Sequence, residues 1–312
     1  MASMTLTVSG RGTDNATDIP IVKLNNGISV PMYGLGLSHN GGWTDSSVIE
    51  SIRMGIRLFD TAKRYGNEEL LGNIIVKACR GALDDVPQLQ RENFVLSSKF
   101  WPGDLGLYSS VAEDIRTAAI ASCKRLKVTY LDVYLLHWPG RWRTGVYPDL
   151  SPSELRQQMW AAMESLVEEG LVRTIGVSNF EVHHLKDILI SCTIVPAINQ
   201  FELNPFLQNR AIRELCKVHS IQVEGYCPLA KGHGLHHVVV QRIAATAGIT
   251  PAQLLIRYSL ETGSITIPKT TCVEHARQNF KALSLKLSGT QMKQLHELEC
   301  NLRSTWDPTH VA

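Results

Sequence analysis

The chain has 312 residues, 44% hydrophobic and 19% charged, a composition that can bury a sizeable core and excludes a disordered or fibrous protein. Its formal net charge is +2, from 31 Lys and Arg against 29 Asp and Glu, with no dense basic block, so no nucleic-acid partner is expected. No apolar stretch approaches the roughly 20 residues needed to span a bilayer, and residues 1–18 lack the apolar centre of a secretion signal, so no membrane partner and a cytoplasmic location are expected.

Residues 1–17 are polar and without periodicity, which predicts a flexible amino-terminal arm ahead of one domain over residues 18–312. Ile19 to Leu24 and Ile28 to Met32, joined through Asn25, Asn26 and Gly27, read as a hairpin, because Asn and Gly tolerate the positive φ of tight turns. Tyr33-Gly34-Leu35-Gly36-Leu37 follows as a short strand whose glycines would let a backbone or a ligand come close.

From there the chain alternates: an apolar strand, a polar residue at its end, then an amphipathic helix. Asp60 follows IRLF, Lys99 follows NFVLSS, and His137 follows LDVYLL. Ser178 and Asn179 end the next strand, followed by Gln200, Tyr226 and Lys269 after three more. With the Gly36 strand this makes eight units, and an eightfold α/β barrel allots about 30 residues to each. Helices are predicted over Ser109 to Leu126, Ser153 to Glu169, Asn209 to His219, Val238 to Gly248, from Pro251 onward, and over Ser288 to Leu302 outside the eightfold count. The cysteines, Cys79, Cys123, Cys192, Cys216, Cys227, Cys272 and Cys300, are odd in number and form no CxxC pair. That suits reduced thiols, and no metal site is expected.

In such a barrel the strand ends are neighbours at one mouth. Asp60, Tyr65, Lys99 and His137 would then form a tetrad. A phenol titrates near 10, and an ammonium beside it would bring that value down, so Lys99 is expected to make Tyr65 a better acid, with Asp60 holding the lysine. A histidine can donate to a carbonyl oxygen and orient it. The set suits proton delivery to an oxygen while a hydride reaches the adjoining carbon. Singly, each residue is as well explained by an ion pair or a packed loop.

The motifs GLGL (34–37), DTAKRYGNEE (60–69), SSKFW (97–101), LLHWP (135–139), GVSNF (176–180), NQFELNP (199–205), GYCPL (225–229) and IPKTTCVEHARQNF (267–280) resemble those of the aldo-keto reductases. The resemblance runs from Ile19 to Asn301. It implies a (β/α)8 TIM barrel with an amino-terminal hairpin capping the bottom and an extra carboxyl-terminal helix. It also implies NADPH-dependent reduction of aldehydes or ketones to alcohols, with Tyr65 as proton donor, Asp60 and Lys99 as its tuning pair, and His137 orienting the carbonyl.

The same resemblance implies a cofactor set. Ser178, Asn179 and Gln200, with Asp60 nearby, would face the nicotinamide carboxamide, Tyr226 would stack on its ring, and Gly36 and Leu37 would line the pocket edge. Cys227 and Leu229 fall in a loop expected over the pyrophosphate. Lys269, Thr270 and Thr271 would read the ribose 2′-phosphate, and Gln278 and Asn279 the adenine. His275 stands where the family usually has arginine, which implies a weaker, pH-sensitive preference for NADPH unless Arg277 reaches in its place.

Ser38, Trp101, Trp138 and Trp306, with Tyr65 and His137, are the expected substrate wall. Ser38 and Asn204 replace a tryptophan and a histidine common in the family. A small-molecule carbonyl substrate and a monomer are expected. The alternatives left open are a nucleotide-binding redox sensor, as the resemblance to potassium-channel β subunits permits, and a structural protein on the same barrel without appreciable turnover.

Overall fold

The computed structural model of the protein describes residues 19–38, 42–140 and 146–312. The expected flexible arm lies outside the described residues.

The chain begins with an antiparallel hairpin of β1 (Ile21–Lys23) and β2 (Ser29–Pro31). Gly27 takes φ 84° in its turn, and Asn26 Oδ1 accepts from the Ile28 amide at 3.1 Å. The barrel then alternates strand and helix. It starts with β3 (Gly34–Gly36), α1 (Asp45–Arg53), β4 (Leu58–Asp60), α2 (Glu68–Cys79), β5 (Val95–Phe100) and α3 (Val111–Leu126). It continues with β6 (Leu131–Leu136), α4 (Pro152–Glu168), β7 (Val172–Ser178), α5 (Val182–Leu189), β8 (Ile198–Glu202), α6 (Arg210–Val218) and β9 (Gln222–Tyr226). An additional helix α7 (Val238–Ala247) precedes α8 (Pro251–Glu261), and β10 (Ile265–Thr266), α9 (Val273–Phe280) and α10 (Gly289–His296) complete the order.

The eight strands β3 to β10 are parallel and lie side by side in chain order. Tyr33 bridges Thr266, and the Gly36 amide donates to the Pro268 carbonyl at 3.1 Å, which closes the ring. A Cβ on Gly36 would stand 2.8 Å from the Ile267 carbonyl oxygen, so this seam requires a residue without a side chain.

Side-chain alternation divides each strand between two cores. Leu58, Val95, Val133, Leu135, Ile198 and Ile265 fill the barrel, whereas Phe59, Leu96, Tyr134, Leu136 and Phe201 pack outward against the helices. The helices match that outer layer. α4 starts in a capping box between Ser151 and Glu154 with Pro152 in its first turn, and buries Leu155, Met159, Met163 and Leu166.

The hairpin closes the amino-terminal end of the barrel. Leu24 and Val30 join the inner core, while Asn25 Nδ2 donates to the Pro196 carbonyl and Asn26 Nδ2 to Thr174 Oγ1, each at 3.1 Å. The last helix is shorter than the sequence suggests, ending at His296 rather than Leu302. Beyond it the chain turns back, and the amides of Cys300 and Leu302 donate to the Phe206 carbonyl at 3.2 and 3.0 Å. That tertiary bond competes with the helix ladder and wins. Among the described residues no single helix is long and apolar enough to cross a membrane.

Candidate active site

The residues at the carboxyl ends of the strands converge on a cavity of about 700 Å³. Asp60, at the end of β4, lines it almost wholly buried beside the fully buried Lys99 of β5. Register places them together, since Asp60 pairs with Ser97 and strand alternation returns the next inward position at Lys99. Lys99 Nζ lies 2.7 Å from both carboxylate oxygens of Asp60 and donates to the Thr61 carbonyl at 2.9 Å. Ser97 Oγ and Gln200 Nε2 also donate to Asp60 Oδ2, at 3.0 and 2.9 Å. A buried carboxylate so completely satisfied is held in one orientation.

Tyr65 ends a short 3-10 turn, Lys63–Tyr65, directly after β4. Gly66 at φ 69° stops the turn, and Asn67 fastens it by donating to the Leu37 carbonyl at 2.7 Å and accepting from Thr61 Oγ1 at 2.6 Å. The phenol oxygen lies 3.4 Å from His137 Nε2, and Lys99 Nζ lies 5.0 Å from the Tyr65 ring centre. The four tetrad residues are therefore brought together at one mouth.

The electrostatics differ from the sequence-based expectation at one point. The Tyr65 phenol is pushed well above the usual tyrosine value rather than lowered, first by burial and then by the negative charge of Asp60. The ammonium of Lys99 is bound by both oxygens of Asp60, so its pull on the phenol does not outweigh burial. His137 moves the opposite way, well below the usual imidazole value, through burial and the nearby cations Lys99 and Arg64. Both rings are neutral at neutral pH. His137 Nδ1 is buried without a hydrogen-bond partner among the described residues.

Beside the tetrad, Ser178, Asn179 and Gln200 line the same cavity from the ends of β7 and β8. Asn179 adopts φ 64°, which directs its amide back over the mouth, where Oδ1 accepts from the Tyr226 hydroxyl at 2.7 Å. Gly36, Ser38, Tyr226, Cys227, Leu229, Lys269, Trp101, Trp138 and Trp306 complete the expected residues on the wall. Burial pushes the Cys227 thiol up to about 12, so it stays protonated.

Leu37 is buried behind the wall, its amide donating to the Asp60 carbonyl at 2.9 Å. Thr270, Thr271, His275, Gln278 and Asn279 lie along the segment from Lys269 into α9, beyond the enclosed part of the cavity. Arg277 does not take the place left by His275: its Nε binds Glu50 Oε1 at 2.8 Å. Asn204 is buried and donates to Glu202 Oε1 at 3.2 Å rather than lining the cavity.

Four residues that the sequence did not single out shape the site. Arg64 and Thr305 line the cavity. Glu224 accepts from Gln200 Nε2 at 2.5 Å; burial first, then the charge of Asp60, raises its carboxyl to about 8. Glu202 is fully buried and collects the amides of Ser304 and Thr305 at 3.0 Å, together with both their hydroxyls. That carboxylate ties down the carboxyl-terminal tail and sets Trp306 over the mouth, 6.1 Å from Trp101 and 6.2 Å from Trp138 between ring centres. Strand parity could have revealed both acids, since each is two residues from an inward-facing Gln200 or Tyr226. Thr305 has no such local signal.

A nicotinamide cofactor fits these residues. Ser178, Asn179 and Gln200 combine donors and acceptors as an amide requires, and Tyr226 offers a ring beside them. The segment after β9 holds Cys227, Ala230, Lys231 and Gly232 at positive φ, a bent backbone lined by Lys231 that suits a phosphate group.

Comparison with known proteins places the chain in a family. The family model described as the aldo/keto reductase family matches residues 34–236 and 237–299. Glyoxal reductase of Bacillus subtilis (strain 168) is 36% identical, covering 93% of this chain and 96% of its own length. An aldo-keto reductase enzyme from a deep-sea metagenome library superposes with a TM-score of 0.80 at 31% identity, covering 94% of this chain and 100% of that chain. The fold also matches an aldo-keto reductase crystallised with NADPH, at a TM-score of 0.82 and 24% identity over 93% of this chain and 90% of that one.

Proposed function

Because the chain belongs to the aldo/keto reductase family, we propose that it reduces aldehydes or ketones to alcohols with NADPH, Tyr65 delivering the proton. The observation that carries this reading is the meeting of Tyr65, His137 and the Lys99–Asp60 pair within one mouth. Reduced nicotinamide, when bound, supplies the hydride. Ser178, Asn179, Gln200 and Tyr226 would hold its ring end. Lys269, Thr270 and Thr271, with His275, Gln278 and Asn279 on α9, would hold the adenosine phosphate end.

The neutral His137 would orient the substrate's carbonyl oxygen within reach of the phenol. As that oxygen becomes basic, Tyr65 gives up its proton, and the Lys99 ammonium next to the ring stabilises the phenolate left behind. The raised phenol keeps the proton in place until then, so neither ring should titrate near neutral pH. Reprotonation from solvent restores the phenol.

The test is to mix the protein with NADPH and a panel of small aliphatic and aromatic aldehydes and to follow the loss of nicotinamide absorbance. Turnover with at least one aldehyde is expected. Nucleotide binding without turnover on any would overturn the proposal in favour of a redox sensor.

A further inference from the structure

Arg64 immediately precedes Tyr65 on the same 3-10 turn. The turn separates its two cations. Lys63 lies outside the cavity wall, its Nζ 2.8 Å from Asp104 Oδ2, whereas Arg64 stands at the rim and lines the cavity. Its guanidinium lies against two indoles, 4.3 Å from the centre of Trp101 and 4.9 Å from that of Trp306. Trp101 also meets the His137 ring at 5.5 Å. One indole therefore separates the cation from the imidazole at the reaction centre.

The charged groups of the described wall sort by sign. Asp60 is its one carboxylate, already bound through both oxygens to Lys99, while the cations are Arg64, Lys231 and Lys269. Lys231 and Lys269 belong to the segments assigned above to the cofactor's phosphates. Arg64 stands instead with the tryptophans, on the side left for substrate. Its charge is felt at the centre, since it contributes to the lowering of His137. A guanidinium stacked on aromatic faces keeps its N–H edge in one plane, a shape that a carboxylate meets with two parallel hydrogen bonds.

We propose that Arg64 selects carbonyl substrates bearing a carboxylate about one ring's width from the carbonyl, that is, aryl or short-chain oxo acids. The inference rests on the reductase reading above and names its substrate class.

Two probes that differ in charge test it: 4-formylbenzoate and its methyl ester, each reduced with NADPH by the wild type, Arg64→Lys and Arg64→Met. The methionine keeps an unbranched stem against the indoles, and melting temperatures check that each variant folds. The wild type should favour the acid by about tenfold or more in kcat/KM, mainly through KM. Arg64→Met should abolish the ratio, Arg64→Lys should retain part of it, and about 0.5 M salt should shrink it in the wild type. A wild-type ratio near one, or a ratio that survives in Arg64→Met, would overturn the role of Arg64 and leave the reductase reading standing. Turnover of neither probe by the NADPH-loaded wild type, nor of any aldehyde in the panel, would overturn the reductase reading itself.

Discussion

The two ends of this barrel are built from the same strands and differ in almost every physical respect. At the amino-terminal end, Leu58, Val95, Val133, Ile198 and Ile265 meet Leu24 and Val30 of the hairpin in an apolar plug. At the carboxyl-terminal end the inward positions of those strands become Asp60, Lys99, His137, Gln200 and Lys269. Each buried charge there is satisfied by a named partner, as Asp60 is by Lys99, Ser97 and Gln200. One end supplies burial free energy, and the other accepts the cost of burying polar groups so that they cannot move. Apolar burial and the polar candidate site are thus separated along a single set of strands.

The largest expected effect breaks the comparison from the mouth. Tyr65→Phe removes one oxygen and leaves the packing, so turnover should fall by about 100-fold to 10,000-fold while NADPH affinity and melting temperature hold. Fluorescence titration and steady-state rates measure both, and a variant keeping most of its rate would mean that another group gives the proton. The complementary break is Leu58→Ala at the plug. It should cost about 2–5 kcal/mol in denaturant unfolding, with kcat of the folded protein little changed. A large fall in kcat there would show that the two ends are coupled.

Glu224 sharpens the comparison because it sits between the ends, with a carboxyl raised from 4.5 to about 8. A carboxyl raised in the folded state contributes stability that is fully present below its unfolded value and is lost as pH rises through about 8. Glu224→Gln keeps the oxygen that accepts from Gln200 and removes the titration. Its melting temperature should therefore fall less than that of the wild type between about pH 5 and about pH 9, by about 2 °C or more. Equal slopes would place the proton elsewhere. The smallest effect is expected at the outer rim of the mouth. His275→Arg on α9 should tighten NADPH by a fewfold, on the order of 0.5–1 kcal/mol, and leave NADH unchanged, as for a partly exposed ion pair. Equal effects on both nucleotides would mean that the side chain points away from the 2′-phosphate.

The alternation of apolar runs and polar ends in the sequence was enough to reach the barrel and the strand ends at which Asp60, Lys99 and His137 stand. Strand period and barrel topology are local and repetitive, and so legible without coordinates. The pKa of Tyr65 was not legible in that way. Its direction depends on burial and on how fully Asp60 occupies Lys99, both properties of the packed interior. The tail was illegible for a related reason. Glu202 and Thr305 are far apart in the chain, and only the fold puts the carboxylate under Ser304 and Thr305 and so sets Trp306 beside Arg64.

The sequence by itself determined the eightfold order of strands and the identity of the groups at their ends, because hydrophobic period and residue type are written along the chain. The tertiary structure alone decided the charge balance of the mouth and which side chains share it. Those quantities depend on distances between segments and on the water excluded from between them, and neither has any trace in local sequence.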